Sequence, residues 1–291
     1  MKNCILLVIA SCFAFSLSAK ESPILVEASW LKEHLNDPKL VILQVNYLKM
    51  DYDNGHIEGA RYLWPELLTP NTPEGNYNVP DLKKATEVLQ NLGVNQDSHI
   101  ILCHVRNEIS VTARIFLTLE QLGMKGQISF LNGGLDAWRK AGYATTKVVP
   151  TVKKGNYKPS LGNLIVDKTY VLNTLNSGNG VVVDARMQRF YDGEPTGNPR
   201  DGHITGAKNI PYTEMTNPLN KFKPLDSLQT YFSPVASSTQ TEIITYCFIG
   251  QTASVVYMAG RLLGYNVKLY DGSLQEWSRI DELPMEKSKK E

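Results

Sequence analysis

Two stretches of this chain occur twice and in the same order. Gly55-His56-Ile57-Glu58-Gly59-Ala60 returns as Gly202-His203-Ile204-Thr205-Gly206-Ala207. Leu131-Asn132-Gly133-Gly134-Leu135-Asp136-Ala137-Trp138 returns as Tyr270-Asp271-Gly272-Ser273-Leu274-Gln275-Glu276-Trp277. Between them, Leu122-Gly123 is matched by Leu263-Gly264. The offset of about 140 residues is too long for a solenoid repeat, so it predicts one globular unit built twice. A chain of 291 residues has room for two such domains.

Within each unit, apolar runs alternate with stretches of helical period. Leu40–Val45, Ile100–Cys103, Ile128–Leu131, Val181–Val183, Ile243–Tyr246 and Asn266–Tyr270 read as strands. Helices are expected over Pro80–Leu92, Ser110–Leu122 and Leu225–Phe232. Strands that are continuously apolar belong in a parallel sheet covered on both faces. The expected fold is therefore α/β, as two tandem domains, each a small parallel sheet flanked by helices. The predicted bounds are 24–144 for the first domain and 164–284 for the second. The linker, 145–163, carries Pro150, Pro159 and little apolar period.

Residues 1–19 read as a secretory signal peptide. A basic start, Met1-Lys2-Asn3, leads into an apolar run from Cys4 to Leu17, with small residues at Ser18 and Ala19 before Lys20. The run falls short of the roughly 20 residues that span a bilayer, which argues against an anchor. The expected location is periplasmic or secreted, with no membrane attachment after cleavage. Removal of Cys4 and Cys12 leaves Cys103 and Cys247 of the four cysteines. Two cysteines make no disulfide scaffold, and neither has a ligand partner at zinc spacing, so no metal or other cofactor is expected. A net charge of +1 gives no drive toward nucleic acid or an anionic membrane.

Cys247 ends an apolar strand, and a loop with one glycine follows. From Ala253 the apolar residues Val256, Tyr257, Gly260 and Leu263 recur at helical spacing. Loops at the carboxyl ends of parallel strands are where open α/β sheets bind ligands. A helix N-terminus favours an anion there, and a thiolate, the nucleophilic form of cysteine, is such an anion. In the first unit, Cys103 falls opposite Tyr246 and His104 opposite Cys247. Adjacent strand positions face opposite ways, so Cys103 is expected to point away from the equivalent pocket. Its loop is expected to be about two residues longer. Gln44 and Asn46 stand where Asp184 and Arg186 stand, and the first domain is read as non-catalytic.

The ordered motifs Asp184-Ala185-Arg186, the Gly202–Ala207 turn, Cys247-Phe248-Ile249-Gly250-Gln251-Thr252 and Tyr270-Asp271-Gly272-Ser273 with Trp277 resemble those of tandem-domain rhodaneses, the thiosulfate or 3-mercaptopyruvate sulfurtransferases. The resemblance covers nearly all of the chain after residue 19. It implies one active site, in the second domain, with Cys247 as nucleophile and Arg186 as the clamp for the donor's anionic group. Arg189 is a second candidate for that grip. Phe248, Ile249, Gly250, Gln251 and Thr252 would form the substrate loop around a Cys247 persulfide. The implied partners are a small sulfur donor and a thiol or cyanide acceptor, with a protein thiol as another acceptor.

Two other readings are weighed. A cysteine phosphatase of related fold needs an arginine where Ala253 stands. A persulfide carrier with little small-donor turnover fits Phe248 and Ile249, which give the loop an apolar face with no charge for a dianion. His56 and His203 are read as turn hydrogen-bonders, and Trp138 and Trp277 as core.

Overall fold

The structure, a computed structural model, describes residues 22–73 and 75–288. The proposed signal segment, residues 1–19, lies outside them. Each half forms a five-stranded sheet in which every pairing is parallel. The first orders its strands Leu25–Val26, Ile128–Leu131, His99–His104, Leu40–Val45 and Arg61–Leu63. The second orders Ile165–Val166, Asn266–Tyr270, Glu242–Tyr246, Gly180–Asp184 and Lys208–Asn209 in the same relation. The parallel α/β halves expected from the apolar runs are thus present.

The repeat extends to single side chains. His56 stacks on Tyr52 and His203 on Tyr191, at 3.8 and 3.6 Å between ring centroids. The Nδ1 of each lies 2.9 and 2.7 Å from the carbonyl oxygen of its stacking partner. Trp138 donates its indole N–H to the Ala144 carbonyl, and Trp277 donates to that of Pro284. Both tryptophans are fully buried, each with its polar edge satisfied, as a buried indole requires.

The helices after the two strand-end loops, Ile109–Leu119 and Ala253–Leu262, pack on each other across the junction of the halves. Their contact carries a polar knot. Glu120 accepts from the Tyr257 hydroxyl at 2.5 Å and from Arg261 at 2.9 Å. Burial pushes the Glu120 carboxyl up, while Arg261 and Tyr257 pull it down. The segment 145–163 is no loose tether. Tyr157 is buried, donates its hydroxyl to the Leu122 carbonyl and donates its own N–H to the Val94 carbonyl. At Gly155 an added Cβ would stand 2.0 Å from the Val94 oxygen, so only glycine lets the strap lie this close.

Candidate active site

Residues 247–252 connect the strand Glu242–Tyr246 to the helix Ala253–Leu262 at the carboxyl edge of the second sheet. Cys247 is 1% exposed. Its backbone is held on both sides by the first turn of the helix Ser273–Trp277. The Cys247 N–H donates to Ser273 Oγ at 3.2 Å, and its carbonyl accepts from Leu274 N–H at 3.1 Å. The Phe248 carbonyl accepts from Gln275 N–H at 2.9 Å.

The loop's own amides are left open. Among the described residues, nothing accepts from the N–H groups of Phe248, Ile249, Gly250, Gln251 or Thr252. Backbone donors in folded proteins are ordinarily paired. A run of open ones leading into the N-terminus of a helix is a cradle for negative charge. Gly250 makes the curl possible: its φ is +80°, and a Cβ there would stand 2.9 Å from Asp271 Oδ1. The Thr252 hydroxyl has no protein partner among the described residues, whereas the Gln251 side chain donates to Ser110 Oγ of the first half at 3.0 Å. Gln251 therefore offers the loop a backbone N–H rather than its amide side chain.

Arg186 sits elsewhere than expected. Its Nε lies 3.0 and 3.1 Å from the two Asp184 carboxylate oxygens, and its Nη2 lies 2.6 Å from Oδ2. The same Nη2 donates to the Gly202 carbonyl at 2.7 Å. Both side chains of the pair are buried, at 1% and 0% exposed, and the Phe248 ring lies over the guanidinium, 4.9 Å to its centroid. The Nε and Nη2 edge expected to grip the donor is thus taken by Asp184 and the Gly202 carbonyl, which gives Arg186 a structural role in place of the clamp read from the sequence. The exposed guanidinium beside the loop is that of Arg189. It lies over Phe190 at 4.5 Å, with Glu194 at 3.8 Å, and Phe190 meets Phe248 edge-on at 5.3 Å.

Two groups that sequence reasoning left without a role complete the site. Ser273, at φ +50°, holds the Cys247 N–H. Arg114, fully buried in the first half, reaches across to Asp271 at 2.7 Å and donates to the Tyr77 carbonyl. A Cβ on Gly250 would lie 3.2 Å from Arg114 Nη1. The first half thus buttresses the loop of the other half from behind.

The strand registers, Gln44↔Cys103 and Asp184↔Tyr246, put His104 at the position of Cys247. His104 is 1% exposed, and burial pushes its imidazole down to about 4, so it is neutral at pH 7. Cys103 lies on the other face, in the apolar cluster with Ile42, Ile101, Leu135 and Trp138, where burial pushes its thiol up. The expected lengthening of this loop is overturned: counted from the matched positions, 104–108 is one residue shorter than 247–252. The helix here starts at Ile109, just before Ser110. A hairpin from the second half closes the pseudo-site. Asn220 donates to the Arg106 carbonyl at 3.2 Å, and Phe222 packs edge-on against Phe130. Among the described residues, no cluster of three or more His, Cys, Asp and Glu gathers to hold a metal.

Comparison with known proteins places these features in context. The profile of the Rhodanese-like domain matches twice, over residues 27–141 and 167–280. A sulfur carrier protein, TtuD of Thermus thermophilus, is 30% identical over 91% of this chain and 96% of its own. The 3-mercaptopyruvate sulfurtransferase of Escherichia coli K12 is 31% identical over 90% of this chain and 97% of its own. The crystal structure of SseA from Escherichia coli, described as a 3-mercaptopyruvate sulfotransferase with the rhodanese fold, superposes with a TM-score of 0.77 at 30% identity. It covers 87% of this chain and 99% of that one.

Proposed function

The chain belongs to the rhodanese family and is a sulfurtransferase, and from that premise we propose that sulfur passes through Cys247, with 3-mercaptopyruvate as donor and a small thiol or cyanide as acceptor. The observation that carries this reading is the row of open amides, 248–252, around a cysteine at a helix N-terminus. The Cys247 thiolate attacks the donor sulfur. The donor's C–S bond breaks, its electron pair leaves as the enolate of pyruvate, and the enolate takes up the proton that the transferred sulfur gives up. Cys247 is left as a persulfide whose outer sulfur carries the negative charge. That is nucleophilic catalysis in two half-reactions. The amides stabilise the outer sulfur as an oxyanion hole stabilises oxygen.

The donor choice rests on charge. Residues 247–252 contain no cation, so the loop offers little to the dianion thiosulfate. A single exposed guanidinium, Arg189, suits a monocarboxylate. Incubation with each donor in turn, with cyanide as acceptor, is expected to give pyruvate release faster than sulfite release. Arg189→Ala is expected to raise the KM for 3-mercaptopyruvate by about tenfold or more, the scale of one charge-assisted contact. Faster sulfite release, or an unmoved KM, reassigns the donor or its grip. A carrier role is the second reading, favoured by the half-exposed apolar pair Phe248 and Ile249. It predicts persulfide formation without multiple turnover to cyanide.

We further propose that the protein is exported to the periplasm or secreted. The motif of residues 1–19 supports this. N-terminal sequencing of the protein from an exported fraction is expected to start after Ser18 or Ala19. Recovery of the intact Met1 form from the cell interior alone overturns export.

A further inference from the structure

A cavity of about 190 Å³ opens between the 75–78 segment of the first half and the 271–280 segment of the second. Its lining includes Asn76, Asn78, Gln275 and Arg279 together with the carboxylates Asp271 and Glu276. Both carboxylates already have cations. Asp271 is held by Arg114 at 2.7 Å, and Glu276 by Lys168 at 2.5 Å and by the Tyr270 hydroxyl at 2.8 Å. Arg279 is exposed, and among the described residues no carboxylate or carbonyl accepts from its guanidinium. The cavity therefore presents one uncompensated positive fork amid side-chain amides, which suits a carboxylate. Its volume is below the roughly 300–1,000 Å³ of drug-sized ligand sites, which restricts the occupant to a small molecule or a chain end.

The cavity borders the loop that carries the nucleophile: of its lining residues, Gln275 donates its backbone N–H to the Phe248 carbonyl, and the Asp271 carboxylate lies beside Gly250. Gln275, Leu274 and Ser273 are the residues whose hydrogen bonds fix Phe248 and Cys247. Asn76, on the opposite wall, donates to the Gln275 side chain at 2.8 Å. We propose that this cavity is the acceptor's anchoring site and that it takes a small carboxylate-bearing thiol, gripped by Arg279. The inference rests on the persulfide reading of Cys247. In the step it serves, the acceptor gives up its thiol proton to solvent, and its thiolate attacks the outer sulfur of the Cys247 persulfide. The bond between that sulfur and Sγ breaks, its electron pair returns to Sγ, and the acceptor leaves as its own persulfide. No further oxidant or reductant is required.

The test uses full-length protein preloaded with sulfur and freed of donor. Transfer is followed to N-acetylcysteine, to its neutral amide and to cyanide. Arg279→Ala is expected to weaken the dependence on N-acetylcysteine by about tenfold or more, with transfer to the amide and to cyanide unchanged. Arg279→Lys, which keeps the charge and loses the fork, is expected to fall between. An unchanged ratio of N-acetylcysteine to amide overturns the proposal. So does an equal loss toward all three acceptors, which would mark Arg279 as structural. Failure of the underlying reading is seen separately, as absence of sulfur on Cys247 in the preloading step, and it removes the inference with it.

Discussion

Replacing Cys247 by Ser is expected to lower sulfur transfer by about 10⁶-fold, the scale of loss when a covalent nucleophile is removed. A hydroxyl at this position is a poor nucleophile at neutral pH and cannot store a sulfane sulfur. Intact-mass measurement after incubation with donor is expected to show one added sulfur atom on the parent protein and none on Cys247→Ser. The control is Cys103→Ser. Cys103 is fully buried on the opposite face of the first sheet, so its loss is expected to leave turnover and the added sulfur in place. If Cys103→Ser abolishes turnover while Cys247→Ser spares it, the roles assigned to the two halves are reversed and the reading of the site is wrong.

On that assignment the first half still forms part of the site. Its own loop is closed by Asn220 and Phe222 of the other half, while its Ser110 and Arg114 reach the catalytic loop and the turn beside it. The helices that follow the two loops pack together, so each loop meets groups from the opposite half. One half supplies the nucleophile and the other supplies part of its backing.

How much of this could be read beforehand depended on the range of the contact. The long strands were legible because parallel strands buried on both faces are continuous apolar runs. Arg61–Leu63 and Lys208–Asn209 are too short to show a period, and they were missed. The cysteine loop was legible because the apolar period changes from strand to helix at Ala253. Its backing was not: Arg114 and Asp271 are far apart in sequence, and nothing local marks Arg114 as a residue that will cross to the other half. Ser273 lay inside a quoted motif, but its bond to Cys247 depends on a turn at φ +50° that no residue pattern announces.

Arg186 was misread for a different reason. An arginine beside a sheet end and near a nucleophile has the right chemistry for an anion clamp. In an extended segment, however, residues two apart share a face, so Asp184 was always within its reach. The first half carried the hint, since Gln44 and Asn46 occupy the same two positions as a neutral pair, with Gln44 Nε2 donating to Asn46 Oδ1 at 3.3 Å. A pair repeated in geometry but not in charge, in the half where His104 stands in place of Cys247, is a device for holding the end of its own strand rather than for gripping a donor.

This makes a pair of variants decisive. Arg186→Ala leaves the Asp184 carboxylate fully buried without its cation and is expected to destabilise the second half by about 3–5 kcal/mol. Chemical denaturation should show an early transition for that half. The double variant Asp184→Gln with Arg186→Asn copies the first half's amide pair and removes both charges together. Exchange of a buried ion pair for a neutral, matched pair is often close to neutral in energy. It is therefore expected to recover most of the loss, short of about 1 kcal/mol for the Gly202 carbonyl that loses its donor. The recovered protein is the one to assay. If Arg186 is structural, the KM for the donor is unchanged once folding is restored. If Arg186 grips the donor, the double variant is stable and its KM rises by tenfold or more, on the order of one lost charge-assisted contact. Stability and donor affinity move together in the single variant and separate only in the double one.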